Sequence, residues 1–445
     1  MQRVLLTTRC RDTGLYDYFR ENAPRGFRWR FGMPRNISFG LRFLRQNIPG
    51  LTILEYPTEA EYSAQLKKGW DAVGISFYLE ETNLALHMAE EARRARVKEL
   101  WAGNYGALTP SVQSKFDRIF SGYSEEAVAQ RLGVPLPEIQ HPPLVTRFRL
   151  PGGWTLPVGV LFSSRGCSFR CTFCQTTVFA PQPKPVTLEA LDRVLKFYVQ
   201  RGIRFVLLLD ENFGNLPSHA NSVIELLARH RVRWLVQSRV DLFLRNFEEW
   251  QKCGMEGALF GIESFHQDLL KQMHKNEKVQ ATFELAEKLN RTGLYAQGYY
   301  IIGLPQETPE SIAQDLRTLA SLNLDTTQIT IVTPHPQTVM WRELDSGFGI
   351  SEKDWSKFDT KHLVWNHPNF APGGLEHLLE EGFRLCYGRQ WLGRTTKKFL
   401  SMRRRHQDFA AVLLGPLRSR WASAKRLPYL APAPTANAAA RRAVA

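Results

Sequence analysis

Apolar positions along the chain fall into short runs separated by stretches of helical period, and the alternation occurs in two series. RVLLTT, LTILEY, DAVGISFYL, ELWAGNY and RIFSGY read as strands. EAEYSAQLKKG, NLALHMAEEARRA and SEEAVAQRLG, between or after them, read as helices. Strands alternating with helices of this length imply a parallel, doubly wound, Rossmann-like sheet, which takes ligands at the carboxyl ends of its strands. The Pro-rich stretch VPLPEIQHPPLVTRFRLPGGW has no helical period and reads as a linker. A second series follows: VGVLFSS, RFVLLLDENF, RWLVQSRVD, ALFGIES, YAQGYYIIGLP and TQITIVTP, with helical stretches such as EALDRVLKFYVQRG between them. These six strands are too few to close an eight-stranded barrel, but such folds place chemistry at the C-terminal strand ends.

The expected organisation is α/β throughout. A Rossmann-like domain covers 1–135, a linker 136–156 and a barrel-type series 157–335. A cap over the barrel mouth covers 336–402, with Trp341, Trp355, Phe358, Trp365 and Trp391. A basic, largely disordered Ala/Pro/Arg tail covers 403–445. Within the tail, FAAVLLGPLRSRW is weakly amphipathic and reads as a helix docking on the core, with peripheral membrane contact as the alternative.

A hydrophobic share of 43% and a charged share of 23% suit a globular chain. No apolar run is long enough to span a bilayer, and the N-terminus lacks the apolar core of a secretion signal, so a cytoplasmic location is expected. The net charge of +15 raises the question of nucleic acid. It is concentrated at the two ends, in the arginines of the first fifty residues and in Arg403, Arg404, Arg405, Arg418, Arg420, Lys425 and Arg426. With no RNA-binding signature beside them, a solvated basic surface is expected and nucleic acid is not.

The chemistry is concentrated in SSRGCSFRCTFCQTT, where three of the six cysteines, Cys167, Cys171 and Cys174, lie within eight residues. Thiolates at this spacing can hold three irons of a [4Fe-4S] cube and leave the fourth open to another ligand. A zinc knuckle would want a fourth Cys or His nearby, and His141 and His219 are distant in sequence. A disulfide is disfavoured by the crowding and by the expected compartment.

The run resembles the cysteine loop of radical S-adenosylmethionine (SAM) enzymes, including the aromatic Phe173 before the last cysteine. The resemblance implies a partial (β/α)6 barrel and an open iron that binds the amino and carboxylate groups of SAM, which is cleaved to a 5′-deoxyadenosyl radical. It extends over residues 155 to 335. Asp210-Glu211-Asn212 would face the SAM amino group, with helix capping as the bland alternative. Gln237 and Arg239 would face the ribose, carboxylate or substrate, or Arg239 would pair with Asp241. Glu263 and Ser264 of GIES would bind ribose hydroxyls, and Gly303 and Pro305 of IIGLPQET would pack along adenine. The family also implies a reductant protein such as flavodoxin or ferredoxin.

The Rossmann-like domain before such a barrel resembles the cobalamin-binding domain of class B radical SAM methyltransferases. Ser76, Ala102, Gly103, Asn104, Gly122 and Glu125 stand where the cofactor would be met. The chain departs from the family's Gly-Gly and Gly-Glu-Gly-Glu turns at Ala102-Gly103-Asn104 and Gly122-Tyr123-Ser124-Glu125, and it lacks an Asp-x-His-x-x-Gly motif. The implied function is cobalamin-dependent methylation of an unactivated carbon in a small molecule, apolar or aromatic if the cap tryptophans line its pocket. The alternatives are a cobalamin-independent radical SAM cyclase, rearrangement enzyme or oxidase and, more remotely, a non-enzymatic iron–sulfur or RNA-binding protein. Tyr299, Tyr300 and Cys386 are weak candidates for hydrogen-atom or proton donors, with packing as the alternative.

Overall fold

A computed structural model describes residues 2–11, 37–149 and 155–388, together with Trp391, Gly393 and Lys398. The arginine-rich segment 12–36 and the expected tail at 403–445 lie outside the described residues.

The five N-terminal runs form strands β1 (Val4–Thr8), β2 (Thr52–Leu54), β3 (Ala72–Ser76), β4 (Glu99–Gly103) and β5 (Arg118–Phe120). All pair in parallel, in the order β2-β1-β3-β4-β5. The strand order reverses between β1 and β3, which is where doubly wound sheets take their ligands. Leu5, Val73, Ile75 and Leu100 pack on Ala85, Met88 and Ala92 on one face. Val4, Leu6 and Trp101 pack on Leu41, Ile48 and Val128 on the other. Helices on both sides explain why these strands read as continuous apolar runs.

One helix, Phe39–Asn47, has no counterpart in the expected elements. Ser38 caps it, but its buried face carries Arg42, whose guanidinium donates to both oxygens of Glu55 at 2.8 Å. A charge on the inner stripe conceals the apolar period.

The second sheet has the order β14-β13-β12-β11-β10-β7-β6. Strand β6 (Leu144–Arg149) runs antiparallel to β7 (Thr155–Leu161), and the two-residue β8 (Ser164–Arg165) pairs with β9 (Lys184–Pro185). Then β10 (Phe205–Leu208), β11 (Arg233–Ser238), β12 (Met255–Glu263), β13 (Tyr295–Ile302) and β14 (Thr326–Ile331) continue in parallel with β7. The six parallel strands are the expected open (β/α)6 series. The stretch expected as linker, 136–156, differs: it contributes an edge strand, because the alternating LVTRFR can add to a sheet without a helical period.

Outward residues of the second sheet, among them Val206, Val236, Phe260, Tyr300 and Ile331, build the main core with the surrounding helices. By the two-residue period, Gln237, Gln297, Tyr299, Gln328 and Thr330 fall on the opposite, inner face. That face mixes these polar residues with Leu207, Leu235, Leu259 and Ile301, and Gln297 Nε2 donates to Tyr299 Oη at 3.2 Å. The C-terminal segment divides. Helix Val339–Gly347 and the residues to Trp365 join Leu79 of the N-terminal domain and Ile301 and Leu304 of the barrel in one cluster. Helix Gly374–Cys386 instead joins the outer helix layer, packing on β14 and on helix Pro309–Ser321, so this part does not cover the mouth.

Candidate functional site

Strand β7 delivers the chain to the cysteine loop, and the loop is braced at each step. Asp210, just beyond β10, is 1% exposed and uses both carboxylate oxygens. It accepts from Ser163 N (2.7 Å), Ser163 Oγ (2.6 Å), Ser164 N (2.9 Å) and Ser164 Oγ (2.8 Å). Burial pushes its pKa up to about 7 against the pull of these bonds. Gly166, at φ +96°, lies where a Cβ would stand 2.5 Å from the Gln182 carbonyl. Cys167 N donates to Ala180 O at 3.1 Å, Cys174 N to Cys171 O at 3.2 Å, and Thr172 N to Met273 O at 3.0 Å.

The three thiols share one electrostatic neighbourhood. Burial pushes each of them up, Cys171 to about 11, while Lys275 and Arg239 pull Cys171 back and Arg239 does the same for Cys167. Thiolates in this position need further positive charge, which a bound metal cluster supplies. Among the described residues no three His, Cys, Asp or Glu side chains converge as the ligands of a single ion would. Convergence is not required of a cube, because each thiolate binds a different iron. The donor set fits the cluster.

The strand ends beyond the loop present donors without partners. Asn212 is buried, accepts on Oδ1 from Ser238 Oγ (3.2 Å) and Arg239 N (3.1 Å), and leaves Nδ2 unpaired. Asn215 accepts from Ser168 Oγ at 2.8 Å and also leaves Nδ2 unpaired. Arg239 lies over the Phe169 ring (4.1 Å) and donates to Asp241 Oδ1 (3.1 Å) and Lys275 O (2.6 Å), with Nη1 unpaired. Buried donors of this kind call for an acceptor, and an anionic group such as the SAM carboxylate meets the need. Gln237 is half-buried on the inner face of β11.

Glu263 ends β12 at φ +64°, a strained conformation for a residue with a side chain, and the pairing of β12 with β13 shifts register there. Its Oε1 accepts from Lys275 Nζ at 3.0 Å, and Lys275 also reaches Gly261 O (3.1 Å) and Glu277 Oε2 (3.4 Å). Ser264 Oγ accepts from His266 N at 3.1 Å. Gly303, at φ +84°, begins a turn in which Leu304 N donates to Glu307 Oε2 (2.6 Å), and Glu307 Oε1 is buried unpaired. The carbonyl of Pro305 faces Asn369 Nδ2 at 3.4 Å. Phe173 packs against the cluster that joins cap, barrel and Leu79.

Several of the expected site residues are engaged within the protein. Both oxygens of Asp210 serve the protein, because four donors from Ser163 and Ser164 surround it. Glu211 accepts from Gly166 N at 2.8 Å and from Tyr123 Oη of the N-terminal domain, so it links two segments of protein. Tyr300 points into the outer core, donates to Asp315 Oδ2 at 2.8 Å and packs on Phe265; Cys386 is buried in the same layer. Neither faces the mouth, whereas Tyr299 lies on the inner face. Trp341 and Trp355 stack at 6.2 Å and, with Phe358 and Trp365, pack in the cluster shared by the cap, the barrel and Leu79.

In the N-terminal domain, Ser76, Gly103 and Asn104 (φ +72°) end β3 and β4 partly accessible, while the Ala102 methyl is buried in the core. These are carboxyl-terminal strand ends, where a doubly wound sheet takes a ligand. Glu125 and Gly122 do not meet one: Glu125 Oε1 accepts from the buried Arg165 at 2.6 Å, and a Cβ on Gly122 would stand 2.7 Å from Phe179 O.

Lys275, Glu277, Asn215, Arg165 and Tyr123 carried no sequence signal, since each acts on a partner brought close by folding. His335 was also missed. It follows β14 between two prolines, and its Nδ1 lies 2.7 Å from Gln175 Nε2, one residue beyond Cys174.

Residues 161–319 match the radical SAM superfamily model. An uncharacterized methyltransferase of Pyrococcus horikoshii is 26% identical over 259 residues, 57% of this chain and 56% of that protein, so the match spans little more than half the relative's length. The bacteriochlorophyllide d C-8(2)-methyltransferase of Chlorobaculum tepidum is 22% identical over 340 residues, 68% of this chain and 74% of that one. Among solved structures, the radical SAM methyltransferase TsrM of Kitasatospora setae, with cobalamin and a [4Fe-4S] cluster bound, superposes with a TM-score of 0.59 at 15% identity, covering 78% of each chain. The cobalamin-dependent radical SAM enzyme OxsB gives 0.57 at 12% identity, covering 86% of this chain and 66% of that one. The cysteine loop at the head of a six-stranded parallel series and the matched span agree: this chain carries a radical SAM domain.

Proposed function

We propose that this protein is a radical SAM methyltransferase that uses a [4Fe-4S] cluster, SAM and cobalamin to methylate a carbon atom of a small molecule. The observation that carries the reading is the set of unpaired buried donors, Asn212 Nδ2, Asn215 Nδ2 and Arg239 Nη1, beside a three-cysteine loop. Cys167, Cys171 and Cys174 hold the cluster. Arg239, stacked on Phe169 and anchored to Asp241 and Lys275, presents its remaining donor to the SAM carboxylate, with Asn212 and Asn215 beside it. Lys275 holds the Glu263 carboxylate at the strand end, where it orients SAM hydroxyls. Ser76, Gly103 and Asn104 are the described residues that would meet cobalamin. When bound, the cluster and SAM supply a hydrogen-abstracting oxidant and cobalamin a transferable methyl group. The protein's part is to align them and keep water out. A flavodoxin- or ferredoxin-like donor supplies electrons.

A second reading, radical SAM chemistry without cobalamin, is favoured by Gly122 and Glu125, which are engaged by the barrel. Anaerobic purification with hydroxocobalamin, reading iron and cobalt per chain, decides between them. About four irons and about one cobalamin support the methyltransferase; iron without cobalt selects the second reading, and no iron refutes both.

A further inference from the structure

The turn after β5 touches both ends of the cysteine loop. At the entry, the Arg165 guanidinium lies between the rings of Phe43 (4.7 Å) and Tyr123 (4.4 Å) while bonding Glu125. Arg165 and Glu125 are both buried, so the pair is sealed between the domains. Next to it, the Glu211 carboxylate takes Gly166 N on one oxygen and Tyr123 Oη on the other. At the exit, Gly122 abuts the Phe179 carbonyl, the Tyr105 ring packs on the Phe179 ring with a 35° tilt at 4.3 Å, and Tyr105 Oη lies 3.3 Å from Thr176 Oγ1. The edge of Tyr123 meets the same ring at 5.6 Å.

We propose that the N-terminal domain clamps the cysteine loop at both ends, with Tyr123 as the positioning residue that acts through Glu211 on the peptide preceding Cys167. The inference rests on the cluster reading above. Gly166 sits so close to the carbonyls of Ala180 and Gln182 that no side chain fits there, and its N–H is held by the Glu211 carboxylate. The direction of its N–H, and with it the placement of Cys167, therefore follows the Glu211 carboxylate. That carboxylate is oriented by the Tyr123 hydroxyl. The clamp requires no ligand in the N-terminal domain, so the domain supports the cluster whether or not it binds cobalamin. It also gives Gly122 and Glu125 a role the cofactor reading did not.

The test uses the full chain with Tyr123→Phe, which keeps the ring and removes the hydroxyl, and Glu211→Gln, which keeps an acceptor for Gly166 and a donor for Tyr123. In the iron-free protein, Tyr123→Phe should raise amide hydrogen exchange across 162–180 by about tenfold, the change expected for one lost charge-assisted hydrogen bond, with exchange elsewhere unchanged. In the iron-loaded protein it should lose iron to a chelator about tenfold faster and alter the electron paramagnetic resonance spectrum of the reduced, SAM-bound cluster. Glu211→Gln, which exchanges two charge-assisted bonds for neutral ones, should fall between the parent chain and Tyr123→Phe in each readout. Parent-like exchange, iron retention and spectrum in Tyr123→Phe would overturn the proposal, as would a Glu211→Gln chain that behaves like Tyr123→Phe. A parent chain that binds no iron counts against the proposed function instead, and the exchange measurement still decides the clamp.

Discussion

Replacing Asp210 separates a structural brace from a cofactor contact. Its carboxylate is buried and receives two backbone N–H groups and two hydroxyls from Ser163 and Ser164, at 2.6–2.9 Å. In Asp210→Ala the hydroxyls can turn to other acceptors, but the two N–H groups cannot move without shifting the end of β7. A buried donor left unpaired costs about 1–3 kcal/mol, so the pair costs about 2–6 kcal/mol. That is a large part of the roughly 5–15 kcal/mol that stabilises a typical native domain. The displaced segment leads directly into Gly166 and Cys167, so iron loading should fall as well. Urea unfolding, with iron counted after anaerobic reconstitution, measures both effects. A residue that only bound SAM would do the reverse, leaving stability and iron intact while weakening SAM. Refutation would be an Asp210→Ala chain within about 1 kcal/mol of the parent that loads iron normally.

Cys171→Ala should abolish iron binding and deoxyadenosine formation from SAM while circular dichroism still reports a folded chain; retained SAM cleavage would remove the cluster assignment. Arg239→Lys keeps the charge but loses the planar fork, so SAM affinity by equilibrium dialysis should fall by about tenfold or more, and unchanged affinity would remove Arg239 from the SAM site. Burial pushes Glu307 up to about 7, above its unfolded value, so the native state binds its proton more tightly. Its stabilising contribution is present below about pH 4.5 and is lost as pH rises through 7, by about 3 kcal/mol at most. Glu307→Gln should flatten that part of a melting-temperature profile against pH, and an unchanged slope would show that the group titrates normally.

Much of the architecture was readable before folding was considered. Apolar runs such as RVLLTT and DAVGIS become parallel strands because helices cover both faces, and that double burial is written into consecutive residues. The cysteine loop was equally legible, since its three cysteines lie within eight residues. Strand β6 escaped notice because a short edge strand flanked by prolines carries little apolar signal. Helix Phe39–Asn47 escaped because Arg42 occupies its inner face, paired with a glutamate thirteen residues away. Asp210, Glu211, Glu125 and Gly122 were singled out in the sequence as cofactor contacts, and the protein partners that engage them in the structure were not foreseen.

By itself the sequence determined the elements, their α/β alternation and the close spacing of the three loop cysteines, because periodicity and close spacing are properties of neighbours along the chain. The β2-β1-β3-β4-β5 order, the Lys275–Glu263 pair, the unpaired donors of Asn212, Asn215 and Arg239, and the hold of Tyr123 on the cysteine loop were decided only by the tertiary structure. Each depends on which distant residue occupies the far side of a contact. A carboxylate's role is set by the donors that reach it, and Glu211 meets Tyr123 across 88 positions of sequence.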